Sequence, residues 1–303
     1  MKKLLYLLIL PLILFLVSCG GGSDELLPID PIDPIDPVNT HTYINHPDSL
    51  LTIIPDPNFE QKLIDLGYDN IIDGYVYTAN ISEVIYLYIN NSSPVINDLT
   101  GIENFTSLRY LYCENNNLSD LYLLKNVNLR EIKCYDNNLE ILELPSGNLL
   151  NYLDCSNNSL TSLDVLSSSM STLRCRFNSL TSLNFSQNVN LSTLICNFNS
   201  LTNLNLSNHT NLYTLSIDDN NLTSSSLILG DFDGLVYFSC SGNNLTNLVV
   251  SSYPQLARLD CSYNNLTSLN LTQNLDLHHL SCQYNNLISL NIKKSFGSNN
   301  PNN

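Results

Sequence analysis

A hydrophobic pattern with a period of about 21 residues runs through the C-terminal two thirds of the chain. Nine segments share the order L-x-x-L-x-C-x-x-N-x-L-x-x-L-x-L, and they begin at Leu108, Leu129, Leu150, Met170, Leu191, Leu212, Leu235, Leu256 and Leu277. The fourth and sixth positions are apolar, which is typical of a short strand with one buried face. A weaker unit at residues 84–102 precedes them. Because one segment cannot bury its own apolar side, the pattern predicts stacked strands and turns.

The order of Leu, Cys and Asn resembles the consensus of leucine-rich repeats, with Cys in place of the third Leu. The resemblance covers residues 81–292 and implies a leucine-rich-repeat solenoid with a parallel β-sheet on its concave face. About 21 residues are too few for a full crossover helix, so we expect 3₁₀ or extended return legs. The sixth segment has two additional residues, which predicts a bulge at residues 224–226. The repeated Asn should bond backbone groups of adjacent turns at Asn116, Asn137, Asn158, Asn178, Asn199, Asn220, Asn243, Asn264 and Asn285.

Eight of the nine cysteines occupy one position of the repeat: Cys113, Cys134, Cys155, Cys175, Cys196, Cys240, Cys261 and Cys282. Ile217 takes this position in the sixth segment, so the position suits a small apolar side chain in the core. Neighbouring cysteines should lie about 4.8 Å apart with parallel side chains. This geometry strains a disulfide and offers no convergent metal ligands. We therefore expect buried, reduced thiols, with no metal and no cofactor.

A short capping helix is predicted before the repeats, within a segment at residues 54–80. Asp56 is the expected N-cap, Pro57 suits the first helical position and Gly67 suits the stop. This helix should cover the exposed end of the stack with one apolar face, which contains Phe59, Leu63 and Leu66. Residues 69–74 resemble the first half of a calcium loop, but Ile and Asn replace two of the ligand positions, which favours a plain turn.

The first residues are predicted to be an export signal. Lys2 and Lys3 precede an apolar run at residues 4–17, which is too short to span a bilayer. The sequence that ends at Cys19 resembles the lipobox of bacterial lipoproteins. This resemblance implies a signal peptide at residues 1–18 and a lipid on Cys19. An ordinary secretory signal with an incidental cysteine is the alternative.

An acidic, Pro-rich linker is predicted at residues 19–53. Pro at every third position from Pro28 to Pro37 favours an extended polyproline II segment. The glycine-rich and then acidic start resembles the surface-export signal of lipoproteins in Bacteroidota, which implies an outer membrane lipoprotein exposed at the cell surface. Nothing in the polar tail at residues 293–303 resembles a terminal cap. We expect the last turn to pair with a partner, to fray, or to belong to a truncated product.

Composition and charge narrow the function classes. The chain contains 58 Leu and 46 Asn among 303 residues, and the repeat accounts for this excess. The formal net charge of −16 argues against nucleic-acid binding, which needs clustered Lys and Arg. No catalytic arrangement can be placed in a cleft: His278 and His279 lie near Cys282, but the pattern points that cysteine inward. We therefore expect no enzyme activity.

Side chains that flank the inward pair of each strand should point onto the concave face, where two groups are candidates for ligand binding. The first group is aromatic and contains Tyr86, Tyr88, Tyr110, Tyr112, Tyr135 and Tyr152. The second group is basic and apolar and contains Arg174, Arg176, Phe177, Ile195 and Phe198. Tyr and Arg are common interface anchors, although Tyr also stabilises exposed strands by cross-strand packing.

These two groups predict non-catalytic recognition or adhesion, with a protein partner on the concave face, as in the internalin-like adhesins that the repeat domain resembles. Tyrosine rings also stack on sugars, so a glycan-binding lipoprotein of a nutrient-uptake system is the alternative. Protein binding through the arginines should weaken with salt, whereas glycan binding through Tyr110 and Tyr112 should not. The predicted contact with the membrane is the lipid on Cys19, and no nucleic acid is expected.

Overall fold

The structure is a computed structural model, and it describes residues 50–293. Three predicted features lie outside the described residues: the signal peptide at residues 1–18, the lipid site Cys19 and nearly all of the linker. The predicted tail beyond Lys293 also lies outside them.

The described part of the chain is a solenoid of parallel strands with a small cap at its N-terminal end. The cap contains β1 (Leu51–Ile53), α1 (Pro57–Asp65), β2 (Tyr75–Tyr77) and α2 (Thr78–Ile81). The long sheet takes one strand from each of ten turns: β3 (Tyr86–Tyr88), β4 (Tyr110–Tyr112), β6 (Glu131–Lys133), β8 (Tyr152–Asp154), β9 (Thr172–Arg174), β10 (Thr193–Ile195), β12 (Thr214–Ser216), β14 (Tyr237–Ser239), β15 (Arg258–Asp260) and β17 (His279–Ser281). The return legs contain a 3₁₀ helix, η1 (Ile102–Asn104), and the short strands β5 (Asp120–Tyr122), β7 (Ile141–Glu143), β11 (Leu204–Asn205), β13 (Leu227–Ile228), β16 (Ser268–Leu271) and β18 (Ser289–Ile292). The predicted parallel-sheet solenoid with 3₁₀ or extended return legs is confirmed.

Strands of the long sheet pair without an offset, so each repeat position becomes a column. Leu111 lies opposite Ile132, and Ile132 lies opposite Leu153. The Leu and Cys side chains of these strands point into one continuous apolar core. Seven of the eight described repeat cysteines are buried with free thiols, and Cys282 in the last turn is partly exposed. The expectation that these cysteines are core residues is confirmed for the buried seven.

The asparagine ladder forms as predicted at the end of nine of the ten long-sheet strands, and Ser92 takes this position after β3. Asn137 shows the pattern: its Nδ2 donates to Cys113 O of the preceding turn at 3.0 Å and to Cys134 O of its own turn at 3.2 Å. Its Oδ1 accepts from Leu118 N at 3.1 Å. The same set of bonds recurs along the column, so each turn is tied to the one before it.

A second polar column, which the sequence did not reveal, lies on the return side. Asn126, Asn188, His209 and Asn274 are buried there at equivalent positions of their turns. Asn126 Nδ2 donates to Ile102 O and Phe105 O, and Asn274 Nδ2 donates to Val250 O and Tyr253 O. His209 Nε2 lies 3.1 Å from Phe185 O. These side chains satisfy carbonyls of the preceding turn where the chain bends, so they are a second tie between turns.

The cap is joined to the first turn through Asp56. One carboxylate oxygen accepts from Asn58 N and Phe59 N and caps α1, as predicted. The other oxygen accepts from Asn97 N at 2.7 Å and Asp98 N at 3.1 Å in the first turn. Gly67 ends the helix with φ of +79°, which favours glycine. The antiparallel pair of β1 with β2 was not predicted, and β1 lies inside the segment assigned to the linker.

The return legs pair in places rather than continuously. β5 pairs with β7, β11 with β13, and β16 with β18. Asp164 forms an isolated bridge with Asn184 instead of extending the β5–β7 pair. The two additional residues of the sixth repeat are absorbed at residues 224–226 in a turn, which is closed by bonds from Ser226 N and Leu227 N to Thr223 O.

Candidate binding face

The side of the long sheet that points away from the core is called the outer sheet face here. Four tyrosines at its N-terminal end form a tyrosine cluster, consisting of Tyr86, Tyr88, Tyr110 and Tyr112. Tyr86 stacks on Tyr110 with ring centroids 4.5 Å apart, and Tyr88 stacks on Tyr112 at 4.9 Å. The pairing of β3 with β4 puts these rings opposite one another. The prediction that these tyrosines lie together is therefore correct.

Tyr112, however, is not available to a ligand as predicted, because it is only 2% exposed. Lys133 Nζ lies 4.8 Å above the centre of its ring. The Tyr112 hydroxyl donates to Glu131 Oε1 at 3.1 Å, and Lys133 Nζ lies 3.7 Å from the same oxygen. These neighbours cover the ring, so Tyr112 supports the cluster rather than presenting a surface.

Tyr152 and Ile195 are also wrong as exposed ligand-binding positions, since they are 6% and 2% exposed. Adjacent strands lie less than 5 Å apart, so long side chains lie across their shorter neighbours. The Arg174 guanidinium, for example, lies 6.0 Å from the centre of the Tyr152 ring. Tyr135, from the same predicted group, is half-buried. The two predicted groups thus meet at Arg174, since it packs on a residue of the aromatic group.

Arg176, Phe177 and Phe198 form an exposed patch, called the Phe–Arg patch. The two phenylalanine rings stack with centroids 4.3 Å apart, and each residue is 44% exposed. The Arg176 guanidinium lies 6.0 Å from the centre of the Phe177 ring. The prediction that these three residues lie together is correct, although both phenylalanines lie on the turn after the strand and not on the strand itself.

The turn that carries Phe177 and Phe198 is left-handed. Their φ angles are +51° and +53°, a conformation that Asn, Asp and Gly adopt at the same position of most other turns. Phe at such a position costs about 1–2 kcal/mol relative to those residues. Stability alone therefore does not favour the two rings, and exposed aromatic residues in a strained conformation point to recognition.

A second exposed pair of this kind was missed by the sequence analysis. Tyr263 and Tyr284 occupy the same turn position near the C-terminal end, with φ of +51° and +54° and ring centroids 4.4 Å apart. They are 56% and 69% exposed. The signal was an aromatic residue directly before the ladder asparagine, which also precedes Asn178 and Asn199. Together with the Phe–Arg patch, this pair forms an aromatic rim along one edge of the outer sheet face.

The middle of the outer sheet face is occupied by a buried acid, Asp218. Its carboxylate accepts hydrogen bonds from Asn197 Nδ2 at 2.8 Å, from Ser216 Oγ at 2.9 Å, from Ser239 Oγ and from Ser241 N at 2.7 Å. Burial raises the pKa of Asp218, and these hydrogen bonds oppose that effect. Phe198 N donates to Asp218 O at 2.9 Å, so this network lies beside the Phe–Arg patch.

Near the patch, Asp154 is the acid that faces the arginines. Burial raises the pKa of Asp154, while hydrogen bonds from Ser156 and the positive charges of Arg174 and Arg176 lower it. The positive charges of the two arginines therefore favour the ionised form of this buried carboxyl. Among residues 50–293, no group of three or more His, Cys, Asp or Glu side chains is placed to hold a metal ion. In the same range, no helix is long and apolar enough to cross a membrane.

Comparison with known proteins agrees with this geometry at the level of the fold. No protein-family model matches the chain, and no curated protein matches its sequence. A solved structure described as the functional domain of InlJ from Listeria monocytogenes, which includes a cysteine ladder, matches with a TM-score of 0.53 and 26% identity. The match covers 81% of this chain and 71% of that one. The chain has the leucine-rich-repeat fold.

Two further leucine-rich-repeat structures are similar. YopM from Yersinia enterocolitica matches at 31% identity with a TM-score of 0.53, over 62% of this leucine-rich-repeat chain and 42% of the Yersinia chain. The leucine-rich-repeat ectodomain of the plant receptor kinase GASSHO1/SCHENGEN3 from Arabidopsis thaliana matches at 21% identity with a TM-score of 0.53, over 71% and 33% of the two chains. That ectodomain was solved with CASPARIAN STRIP INTEGRITY FACTOR 2, and at this identity the likeness concerns the fold alone.

Proposed function

We propose that this leucine-rich-repeat chain is a non-catalytic recognition protein that binds a protein partner at the outer sheet face. The observation that carries the proposal is the Phe–Arg patch, in which two stacked, 44% exposed phenylalanine rings lie beside an arginine. Aromatic residues and arginine dominate the binding energy of many protein interfaces. The rings are held in left-handed turns at a cost to stability, which favours a binding role over a packing role.

Substituting both phenylalanines with asparagine gives a sharp test. Asn tolerates positive φ, so Phe177→Asn with Phe198→Asn removes the rings without straining the turn. The matched control is Tyr263→Asn with Tyr284→Asn, which removes the other aromatic pair of the rim. Proteins captured from a lysate by the unmodified chain would be identified by mass spectrometry, purified and titrated by calorimetry. We expect the Phe177/Phe198 variant to lose at least about tenfold in affinity, as for the loss of an interface anchor. A captured protein that binds this variant and the unmodified chain equally well would refute the proposal.

Glycan binding at the tyrosine cluster is the second candidate function, and the half-buried tyrosines Tyr86, Tyr88 and Tyr110 on neighbouring strands favour it, since tyrosine rings stack on sugars. Tyr110→Ala is the informative variant, because Tyr112 is buried and its loss would disturb packing. A glycan array should show binding that is insensitive to salt and lost in Tyr110→Ala. Binding lost in the Phe177/Phe198 variant instead would assign recognition to the Phe–Arg patch.

We also propose that the chain is an outer membrane lipoprotein, anchored by a lipid on Cys19 and exposed at the cell surface, where recognition would serve adhesion. The lipobox-like sequence before Cys19 supports this proposal. Radiolabelled palmitate should label the chain in cells but not its Cys19→Ala variant, and added protease should digest the chain on intact cells. Absence of label, or resistance to protease until the outer membrane is broken, would refute the anchor or the surface exposure respectively.

A further inference from the structure

The return side of the solenoid carries a cleft that the outer sheet face does not explain. It consists of two adjoining hollows with volumes of 390 Å³ and 380 Å³. Leu124 and Glu143 line both hollows. The first hollow lies beside β5, and the second lies between β7 and the following turn at residues 162–166. The two hollows therefore adjoin at these two side chains.

The backbone ladder of the return legs is open at this cleft. Leu123 N donates to Glu143 O at 2.8 Å, and Leu204 N and Leu206 N make the equivalent bonds to their own next turn. Leu144 occupies the position equivalent to Leu123, but among residues 50–293 its N–H makes no backbone hydrogen bond to the next turn. Asp164 of that turn pairs onward with Asn184 instead. One edge of β7 consequently offers backbone groups that a partner segment can pair with.

The lining of the cleft includes accessible apolar side chains. Four large apolar side chains are about half exposed: Tyr122 (49%), Leu124 (54%), Ile141 (46%) and Leu166 (50%). All four line the two hollows. Contiguous exposed apolar side chains on a solenoid of this kind mark an interaction surface rather than a solvated face.

The lining of the cleft also includes acidic side chains. Six carboxylates line the hollows, namely Asp98, Glu103, Asp120, Glu140, Glu143 and Asp164, against one cation, Lys125. Asp98 and Glu103 already accept hydrogen bonds from the Thr100 and Gly101 amides. Glu140, Glu143 and Asp164 all have exposed side chains. The excess of negative charge repels nucleic acid and anionic lipid, and it selects a cationic occupant.

We propose that this cleft binds an extended segment of a partner protein in which Lys or Arg alternates with apolar residues. Ile141 and Glu143 lie on the same side of β7, so apolar and acidic groups follow one another along one side of the cleft. Apolar side chains of the segment would contact the exposed apolar residues, its Lys or Arg side chains would face the carboxylates, and a backbone carbonyl would accept from Leu144 N–H. This occupant differs from the partner of the Phe–Arg patch. The arginine and the aromatic rings of that patch favour a partner surface whose chemistry is not that of a cationic, extended segment. The inference therefore does not depend on the proposed function of the outer sheet face.

The test uses a fluorescein-labelled octapeptide in which Lys alternates with Val, and fluorescence anisotropy measures its binding to the full chain. The cleft variant is Glu140→Gln with Glu143→Gln and Asp164→Asn. The matched control is Glu83→Gln with Asp233→Asn and Asp276→Asn, three exposed acids outside the cleft that give the same change in net charge. Circular dichroism and thermal unfolding would show that both variants are folded.

We expect the cleft variant to bind the peptide about tenfold more weakly, since three exposed ion pairs are lost. The control variant should lose less than about twofold, because more distant exposed charges are screened by salt. A peptide with Glu in place of Lys should not bind, and one with Ser in place of Val should bind more weakly. Equal losses in the two variants, binding of the Glu peptide, or no binding of the Lys–Val peptide to the unmodified chain would overturn the proposal.

Discussion

Replacing Asn137 with Ala tests whether the asparagine ladder holds successive turns together. Asn137 is 8% exposed, and its Nδ2 donates to Cys113 O at 3.0 Å and to Cys134 O at 3.2 Å. Its Oδ1 accepts from Leu118 N at 3.1 Å. The Ala variant removes these three hydrogen bonds and takes the partner of Leu118 N away, whereas Cys113 O and Cys134 O still accept from Asn116 Nδ2 and Asn158 Nδ2.

The expected loss follows from these contacts. Each hydrogen bond contributes about 1 kcal/mol net, and a buried backbone group left unsatisfied costs about 1–3 kcal/mol. We expect the free energy of unfolding to fall by about 3 kcal/mol, since water entering the space left by the side chain restores part of the loss. The matched control is Asn138→Ala, because Asn138 is exposed and its Nδ2 donates to the exposed Asn117. That change should cost less than about 0.5 kcal/mol.

Urea unfolding followed by circular dichroism gives the change in free energy for both variants. Native-state hydrogen exchange adds a local measure, because the Leu118 amide should exchange faster in Asn137→Ala and stay protected in Asn138→Ala. A loss below about 1 kcal/mol for Asn137→Ala, or equal losses in the two variants, would refute the view that the ladder bonds carry this stability.

Three further predictions concern single side chains. Cys282 should be alkylated by iodoacetamide well before Cys261, since Cys282 is partly exposed whereas burial raises the pKa of Cys261 to about 12; equal rates by mass spectrometry would contradict this. Burial, reinforced by the Glu60 and Asp73 carboxylates, raises the pKa of Asp69 to about 6, although a hydrogen bond from the Asn70 backbone amide lowers it. The folded protein thus favours protonated Asp69, so the contribution of Asp69 to the free energy of unfolding is complete below pH 3.8 and is lost as pH rises through about 6. Asp69→Asn should therefore flatten this part of the curve of melting temperature against pH. An unchanged curve would contradict the prediction. Tyr112→Ala should lower the free energy of unfolding by about 3 kcal/mol and Tyr86→Ala by about 1 kcal/mol, because only the first ring is fully buried; urea unfolding that gives equal losses would contradict it.

The sequence predicted the fold well because the repeat encodes it locally. Each turn places the same Leu, Cys and Asn positions in the same surroundings, so the period, the core and the ladder follow from one alignment. The cap helix was also predictable, since Asp56, Pro57 and Gly67 have their own backbone preferences. The pairing of β1 with β2 was not, because it joins segments that no local signal connects.

The candidate site was predicted less well, because alternation along a strand gives only the direction of a side chain and not its exposure. Tyr112 and Tyr152 point outward as expected, yet Lys133 and Arg174 from neighbouring turns lie against their rings. Such coverage depends on which long side chain stands on the next strand. The open edge at β7 was equally hidden, since the return legs pair only in places and no local signal in the sequence tells which turns pair.

The two polar columns have a mechanical consequence. Where both are present, each turn is held to its neighbour on the sheet side and on the return side, which resists bending and twisting of the stack. Gly147 occupies the return-side position that Asn126 and Asn188 hold in other turns, so no side chain can form the tie there. The same turn carries β7 and its open edge. Within the described part of the chain, this turn thus lacks a side-chain tie to the turn before it, at Gly147, and a backbone bond to the turn after it, at Leu144 N, so under a pulling force it should yield before turns that are tied on both sides.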